Sequence, residues 1–229
     1  MTDPVIGFIS GTGPQGRGLG LRLAMAGLTV RIGSRQADRA KSVAEELNGM
    51  LAKAAAGGEF QPIAGDDNHA VVAGSAWVML TVPFEHAATT LETYREDFRP
   101  GSVFVDVTVP LEFGRGDARV FVPPEGSGSL LLRRILPEAI PFTGAFKTLP
   151  AHVLEEIGTP LECDTFVFGD DKEAKDRLLE IVRRIPTLRP VDVGGLSAAA
   201  TGEGMTALLI RINRRLKGKE GRFRVVGTS

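Results

Sequence analysis

Residues 5–23 read VIGFISGTGPQGRGLGLRL: a short apolar run, a glycine-dense turn, then a second apolar run. The first run suits a strand and the last a helix. Between them, Gly11-Thr12-Gly13-Pro14-Gln15-Gly16 makes a G-x-G-x-x-G in the one setting where that pattern carries meaning. In a chain with 28 glycines the motif alone is weak; its neighbours raise it. Gly11 permits the tight turn, Gly13 lets a pyrophosphate approach the backbone, and Gly16 lets helix and strand pack closely. Unpaired N–H groups and the positive dipole end at the helix start suit phosphates. The bland alternative is a glycine-rich turn that holds nothing.

Moving outward, a helix over roughly 16–26 ends at Gly27, and a second strand, TVRIGSR, follows. Its end is where this kind of unit reads the adenosine ribose, with Asp or Glu accepting from a 2′-hydroxyl in NAD enzymes. Here the position holds Gly33-Ser34-Arg35, with Arg39 one helical turn later, and no acid. A hydroxyl and two planar guanidinium forks suit a 2′-phosphate, which points to NADP(H) as cofactor. The plainer reading of Arg35 and Arg39 is as solvated helix-face charges.

Strand and helix patterns then alternate. Residues 39–56 read as a helix with apolar positions at Val43, Leu47 and Leu51, followed by a polar turn at Gly57-Gly58 and a weak strand over 60–63. Asp66-Asp67-Asn68 is placed to cap a short helix. Residues 76–82, AWVMLTV, match a strand buried on both faces. They lead into Val82-Pro83-Phe84-Glu85-His86, a loop expected to line the cofactor because ligands lie at the carboxyl ends of such strands. A strand over 103–109 contains Asp106, which needs partners if buried. Residues 112–129 read as an irregular loop or flap. Short elements follow at 130–136 (helix), 140–146 (strand) and 165–168 (strand), then a helix capped by Asp171 and a strand over 188–193. A final helix over 197–216 would pack through Met205, Leu208, Leu209 and Ile212. The alternation implies an α/β, Rossmann-like, doubly wound parallel sheet with a small C-terminal helical cap. The expected division is 1–195 for nucleotide binding and 196–229 for the terminal helix and basic tail.

Composition is ordinary for a globular protein, 43% hydrophobic and 24% charged, with net charge -1. There is no global field to recruit nucleic acid or an anionic membrane. No signal peptide or apolar span of membrane length is read. The single cysteine, Cys163, excludes an internal disulfide and a Cys-rich zinc site, and flanking Glu162 and Asp164 disfavour a thiolate. A cytoplasmic location, no metal, small-molecule partners and a homodimer or higher homo-oligomer are expected. The basic tail is read as a mobile end or an oligomer contact.

The motifs G-T-G-x-x-G, G-S-R and V-P-F-E-H together resemble the F420-dependent NADP reductases, as do K-T-L-P-A at 147–151, F-G-D-D at 168–171 and L-R-P-V-D-V-G-G-L-S at 188–197. The resemblance implies hydride exchange between NADP(H) and the deazaflavin coenzyme F420. It places Thr12, Gly13, Pro14 and Gln15 at the pyrophosphate, and Ser34, Arg35 and Arg39 at the 2′-phosphate. Val82 and His86 would lie beside the ribose and nicotinamide, with Pro83 in the same cofactor-lining loop; Val109 and Ala151 would flank the nicotinamide, and Pro110 and Leu149 would face the deazaflavin. Lys147 stands where the family tends to have His; a role in stabilising charge on the acceptor is expected for it. The start of the last helix and residues 114–129 also depart from the family pattern. The rival readings are an NADPH reductase of an imine, pterin or carbonyl compound, and a non-catalytic NADP-binding protein.

Overall fold

The computed structural model describes residues 4–55, 60–114, 117–216 and 220–227, so the turn expected at Gly57-Gly58 lies outside the described residues. Strand β1 (Val5–Ile9) leads through the glycine turn into α1 (Pro14–Met25), β2 (Thr29–Ser34) and α2 (Ala37–Ala55). Next come β3 (Ile63–Asp67), α3 (Asn68–Ala73), β4 (Trp77–Leu80), α4 (Phe84–Tyr94) and β5 (Val103–Asp106). A hairpin of β6 (Leu111–Gly114) and β7 (Asp117–Val120) precedes α5 (Gly128–Arg133), β8 (Phe142–Gly144) and α6 (Ala151–Glu155). The chain closes with β9 (Cys163–Gly169), α7 (Lys172–Arg183), β10 (Leu188–Asp192) and α8 (Ala199–Arg215).

The main sheet has eight strands in the order β10-β9-β8-β5-β4-β1-β2-β3. Period-two alternation divides its core. Ile6, Phe8, Trp77, Met79, Val103 and Val105 face one layer, which holds Leu19 and Leu23 of α1, Leu47 and Leu51 of α2, and Leu178 and Val182 of α7. Ile9, Val78, Leu80 and Phe104 face the other, with Val72, Leu91, Leu132 and Leu196. Strands apolar on both sides need a helical layer on each face, which is why the sheet is doubly wound. Each large side chain so buried contributes about 1.5–3 kcal/mol.

The sheet is mostly parallel, but β9 runs antiparallel to β8, pairing Gly169 with Thr143 and Phe168 with Gly144. A parallel return needs a crossover long enough to recross the sheet. The only helix between them, α6, has five residues and spans about 7.5 Å.

Three local expectations are corrected. The third strand is not Phe60–Ile63 but the polar IAGDD of β3. Its edge position is specified by backbone pairing with β2 and by Asn48, whose amide donates to the Ile63 carbonyl (2.9 Å) and accepts from the Ile63 N–H (2.8 Å). Within residues 112–129, the hairpin β6–β7 replaces part of the expected irregular loop. The buried face of α8 is Ala199, Gly202, Glu203, Thr206, Ala207 and Leu209, whereas Leu208 is half exposed. The helix therefore packs through the expected Leu209, through small residues, and through two polar side chains, Glu203 and Thr206, that an apolar-periodicity reading passes over.

The terminal residues 220–227 are docked along the β9 edge, not a free end. The Asp164 N–H donates to the Phe223 carbonyl (2.9 Å), and the Phe223 ring meets Phe166 edge-on. No helix among the described residues is long and apolar enough to cross a membrane, and no group of three or more His, Cys, Asp or Glu there could hold a metal ion.

Candidate functional site

The order β5-β4-β1-β2 places the switch of strand order between β4 and β1, and the ends of both strands meet there: the Thr81 N–H and hydroxyl both donate to the Ile9 carbonyl. The glycine turn lies above this point. A Cβ on Gly16 would stand 2.6 Å from the Gly11 backbone, and one on Gly11 would stand 2.7 Å from Phe8 Cβ. Both positions are buried behind the turn and shape it. Gly13 differs: a Cβ there would meet nothing within 4 Å, because the residue faces open cavity. Gly13 is also the N-cap of α1, Pro14 occupies its first turn, and no side chain or acid caps it. The uncapped helix start beside this cavity is an arrangement that could hold an anionic group.

Asn68, expected only within a helix-capping trio, holds the turn in place. Its buried amide accepts from the Ser10 N–H (2.9 Å) and donates to the Tyr94 hydroxyl (3.1 Å). Gly33 makes room for it, since a Cβ there would stand 2.4 Å from Asn68 Oδ1. Only the tertiary pairing of β2 with β3 brings these residues together.

Two cavities open from the turn. The first, about 690 Å³, mixes polar and apolar surface; Thr12, Ser34, Arg35, Arg39 and His86 supply polar groups to its lining. Ser34 is nearly buried, and its hydroxyl accepts from the Gln36 N–H. The nearby acids are committed elsewhere: Asp66 pairs with Arg31 (3.1 Å), and Asp67 caps α3 through the Ala70 N–H (2.9 Å). Arg35 and Arg39 are exposed and have no acid partner among the described residues. His86 is exposed, 3.5 Å from Glu85.

The second cavity, about 810 Å³, is largely apolar, and Gly13, Val82 and Pro83 line both. Pro14, Gln15, Val109, Lys147, Leu149 and Ala151 line its walls. Pro110 is buried outside these linings, with its Cδ 3.1 Å from where a Cβ on Gly128 would stand. Leu111 and Phe113 of the hairpin, and Thr206, Leu209, Ile210, Asn213 and Arg214 of α8, complete the cavity. None of these seven carries a local motif. At its rim His152 Nε2 meets Glu220 Oε2 at 2.6 Å, so the docked terminal segment also reaches the cavity.

Beneath this cavity Lys147 Nζ donates to Asp106 Oδ2 (2.7 Å) and to the Thr108 carbonyl, and lies 3.9 Å from Glu203 Oε1. Asp106 thus has the partners its burial demands, including the Thr108 hydroxyl and N–H. Burial raises the Glu203 carboxyl above its usual range, although Lys147 and the Gly128 and Ser129 N–H groups pull the other way. Cys163 is buried and its thiol is pushed up to about 11, by burial first and by Asp164 in addition, which fits a structural residue.

The family model described as "NADP oxidoreductase coenzyme F420-dependent" matches residues 5–110. The F420-dependent NADP reductase of Methanocaldococcus jannaschii is 32% identical over 222 residues, covering 96% of this chain and 97% of that protein. This chain belongs to the F420-dependent NADP reductase family. The family member of the same name from Methanothermobacter thermautotrophicus is 34% identical over 223 residues, 96% of this chain and 94% of its own. A solved structure from Arthrobacter sp. FB24 shares the fold with a TM-score of 0.78 at 20% identity, over 98% of this chain and 100% of that one.

Proposed function

We propose that this protein is an oxidoreductase that transfers a hydride between NADP(H) and the deazaflavin coenzyme F420. The observation that carries the reading is the junction at Gly13, Val82 and Pro83, where a cavity lined by Arg35 and Arg39, which have no acid partner among the described residues, meets a larger apolar one. Full-length similarity to proteins named F420-dependent NADP reductase supports the choice of partners.

In this reading the N–H groups at the α1 start and Thr12 hold the pyrophosphate, while Ser34, Arg35 and Arg39 hold the 2′-phosphate. Val82, Pro83 and His86 flank the ribose. Val109 and Ala151 bound the nicotinamide, and Leu149 faces the deazaflavin. The hydride chemistry itself is what the two coenzymes supply when bound. The chain contributes orientation and a water-poor apolar wall, so no side chain is required to move a proton at the reacting carbon. Residues 1–195 act as the nucleotide-binding unit and 196–229 as the cap that completes the second cavity. A cytoplasmic homodimer or larger homo-oligomer is part of the same reading, supported by the lone buried thiol and by exposed Phe113, Phe121 and Val122 around the hairpin.

The test is deazaflavin absorbance in the presence of NADPH and of NADH. Loss of the oxidised F420 band with NADPH, and much less with NADH, is the expected result. NADPH oxidation by an imine, pterin or carbonyl acceptor with F420 inert would transfer the assignment to another reductase. Tight NADPH binding with no turnover on any acceptor would make it a binding protein.

A further inference from the structure

Three buried charges lie beneath the apolar cavity, and the ammonium of one of them, Lys147, for which a role in stabilising charge on the acceptor is expected, is bound to Asp106 and to the Thr108 carbonyl. Asp106 and Glu203 are fully buried, and the Lys147 side chain between them is 4% exposed. The Ser129 hydroxyl lies 2.6 Å from Asp106 Oδ2 and 3.2 Å from Glu203 Oε1, and Glu203 accepts from the Gly128 and Ser129 N–H groups at 3.0 Å. Well-packed apolar residues stabilise such a site as well as ion pairs do, so stability alone does not account for the cluster.

Its connections are informative. Lys147 Nζ binds the carbonyl of Thr108, the residue before Val109, and the carboxylate that ends β5. Lys147 itself begins the segment that carries Leu149 and Ala151 into the cavity wall. One side chain therefore joins the wall that continues β5 to the wall that continues β8. The Thr206 hydroxyl of α8 donates to the Lys147 carbonyl (3.1 Å) and fixes its main chain.

We infer that Lys147 is a positioning residue: it braces the Thr108–Val109 wall against the Leu149–Ala151 wall and so sets the width of the cavity in which the two reactants stack, with Asp106 and Glu203 as its buried counter-charges and Thr206 as its tether. The inference rests on the hydride-transfer reading for its kinetic consequence but not for its geometric one. Hydride transfer demands near-attack separation, and an error of about 1 Å costs on the order of 100-fold in rate.

The experiment uses the full chain with Lys147→Met, which keeps the stem and removes the ammonium. The expected result is a kcat for F420 reduction lower by about 10- to 100-fold, with KM for NADPH within about threefold of wild type, because Arg35 and Arg39 lie in the other cavity. The second readout is the fluorescence lifetime of bound NADPH, which should shorten in the variant at unchanged Kd as the nicotinamide loses its confining wall. That lifetime needs no acceptor: a wild type inert toward F420 would overturn the proposed function and leave the brace still under test. A folded Lys147→Met with wild-type kcat and wild-type lifetime would overturn the brace. Should Lys147→Met fail to fold, Thr206→Val removes only the tether. A smaller shift in the same two quantities supports the brace, and none overturns it.

Discussion

Arg35 and Arg39 show how a side chain's worth depends on what its neighbours leave undone. Three other guanidinium groups of the first half are spent internally. Arg17 pairs with Glu46 and Glu155, Arg31 pairs with Asp66, and buried Arg22 donates to the carbonyls of Leu154, Val153, Glu156 and Thr159. Arg35 and Arg39 line one cavity with Ser34 and have no acid partner among the described residues, which supports the proposed 2′-phosphate contact. Arg35→Asp should weaken NADPH by about 1.5–3 kcal/mol, roughly 10- to 150-fold, and leave NADH nearly unchanged. Titrations with both nucleotides check this, and retained NADPH affinity would refute the 2′-phosphate assignment. The residue types were legible in the sequence because the position proposed to read the ribose lies at a fixed distance from the glycine turn. Asn68, which anchors that turn, was not legible, since nothing local links position 68 to position 10.

At the level of elements, the junction of α1 with α6 aligns the proposed phosphate-binding end of the site with Ala151. Gly18 makes that junction possible: a Cβ there would stand 2.5 Å from Leu154 Cβ and 3.1 Å from the Glu155 nitrogen. Arg22 completes it by satisfying carbonyls at the end of α6. Gly18→Ala should destabilise the protein by about 1–3 kcal/mol through overpacking, despite the better helix propensity of Ala. Gly13→Ala gives the contrast, because its added Cβ meets no protein atom. Its thermal melt without nucleotide should match wild type within about 1 kcal/mol while NADPH affinity falls, since the methyl intrudes on the phosphate cradle. Paired melting curves and titrations separate a glycine kept for packing from one kept for a ligand. Sequence alone ranks Gly18 no higher than other helix glycines, because the neighbour that demands it is 136 positions away.

For the molecule as a whole, Asp164 decides how the chain closes. Its buried carboxylate holds Arg189 at 2.7 and 2.9 Å and accepts from the Val225 N–H at 2.6 Å, pinning the terminal segment to β9 and β10. Burial alone would raise this carboxyl, but Arg189 and the Val225 N–H outweigh it and hold it below the usual carboxylate range. A carboxyl depressed in the folded state contributes stability in full above its unfolded pKa of about 3.9, and that stability is lost as pH falls through the folded value. Asp164→Asn should therefore cost about 1–3 kcal/mol at pH 7. Denaturant melts at decreasing pH should show the gap between variant and wild type closing below about pH 4. A gap independent of pH would mean that the contact acts through packing and not through charge.

Local chemistry and short periodicity carry one part of this structure in the order of residues alone. The strand–glycine–helix unit, the doubly apolar strands β1 and β4, the cap at Asp171 and the Ser34–Arg35–Arg39 cluster all follow from neighbours within a turn or a strand. So did the α/β class and the family. Only the tertiary structure decided where the polar strand β3 pairs, which way β9 runs, and that α8 buries Glu203 and Thr206 while exposing Leu208. It also decided that the second cavity is built from the hairpin, α8 and the terminal segment together. The physical reason is the same in each case. A polar residue becomes a core residue only when a distant partner satisfies it, and the identity of that partner is a property of the fold.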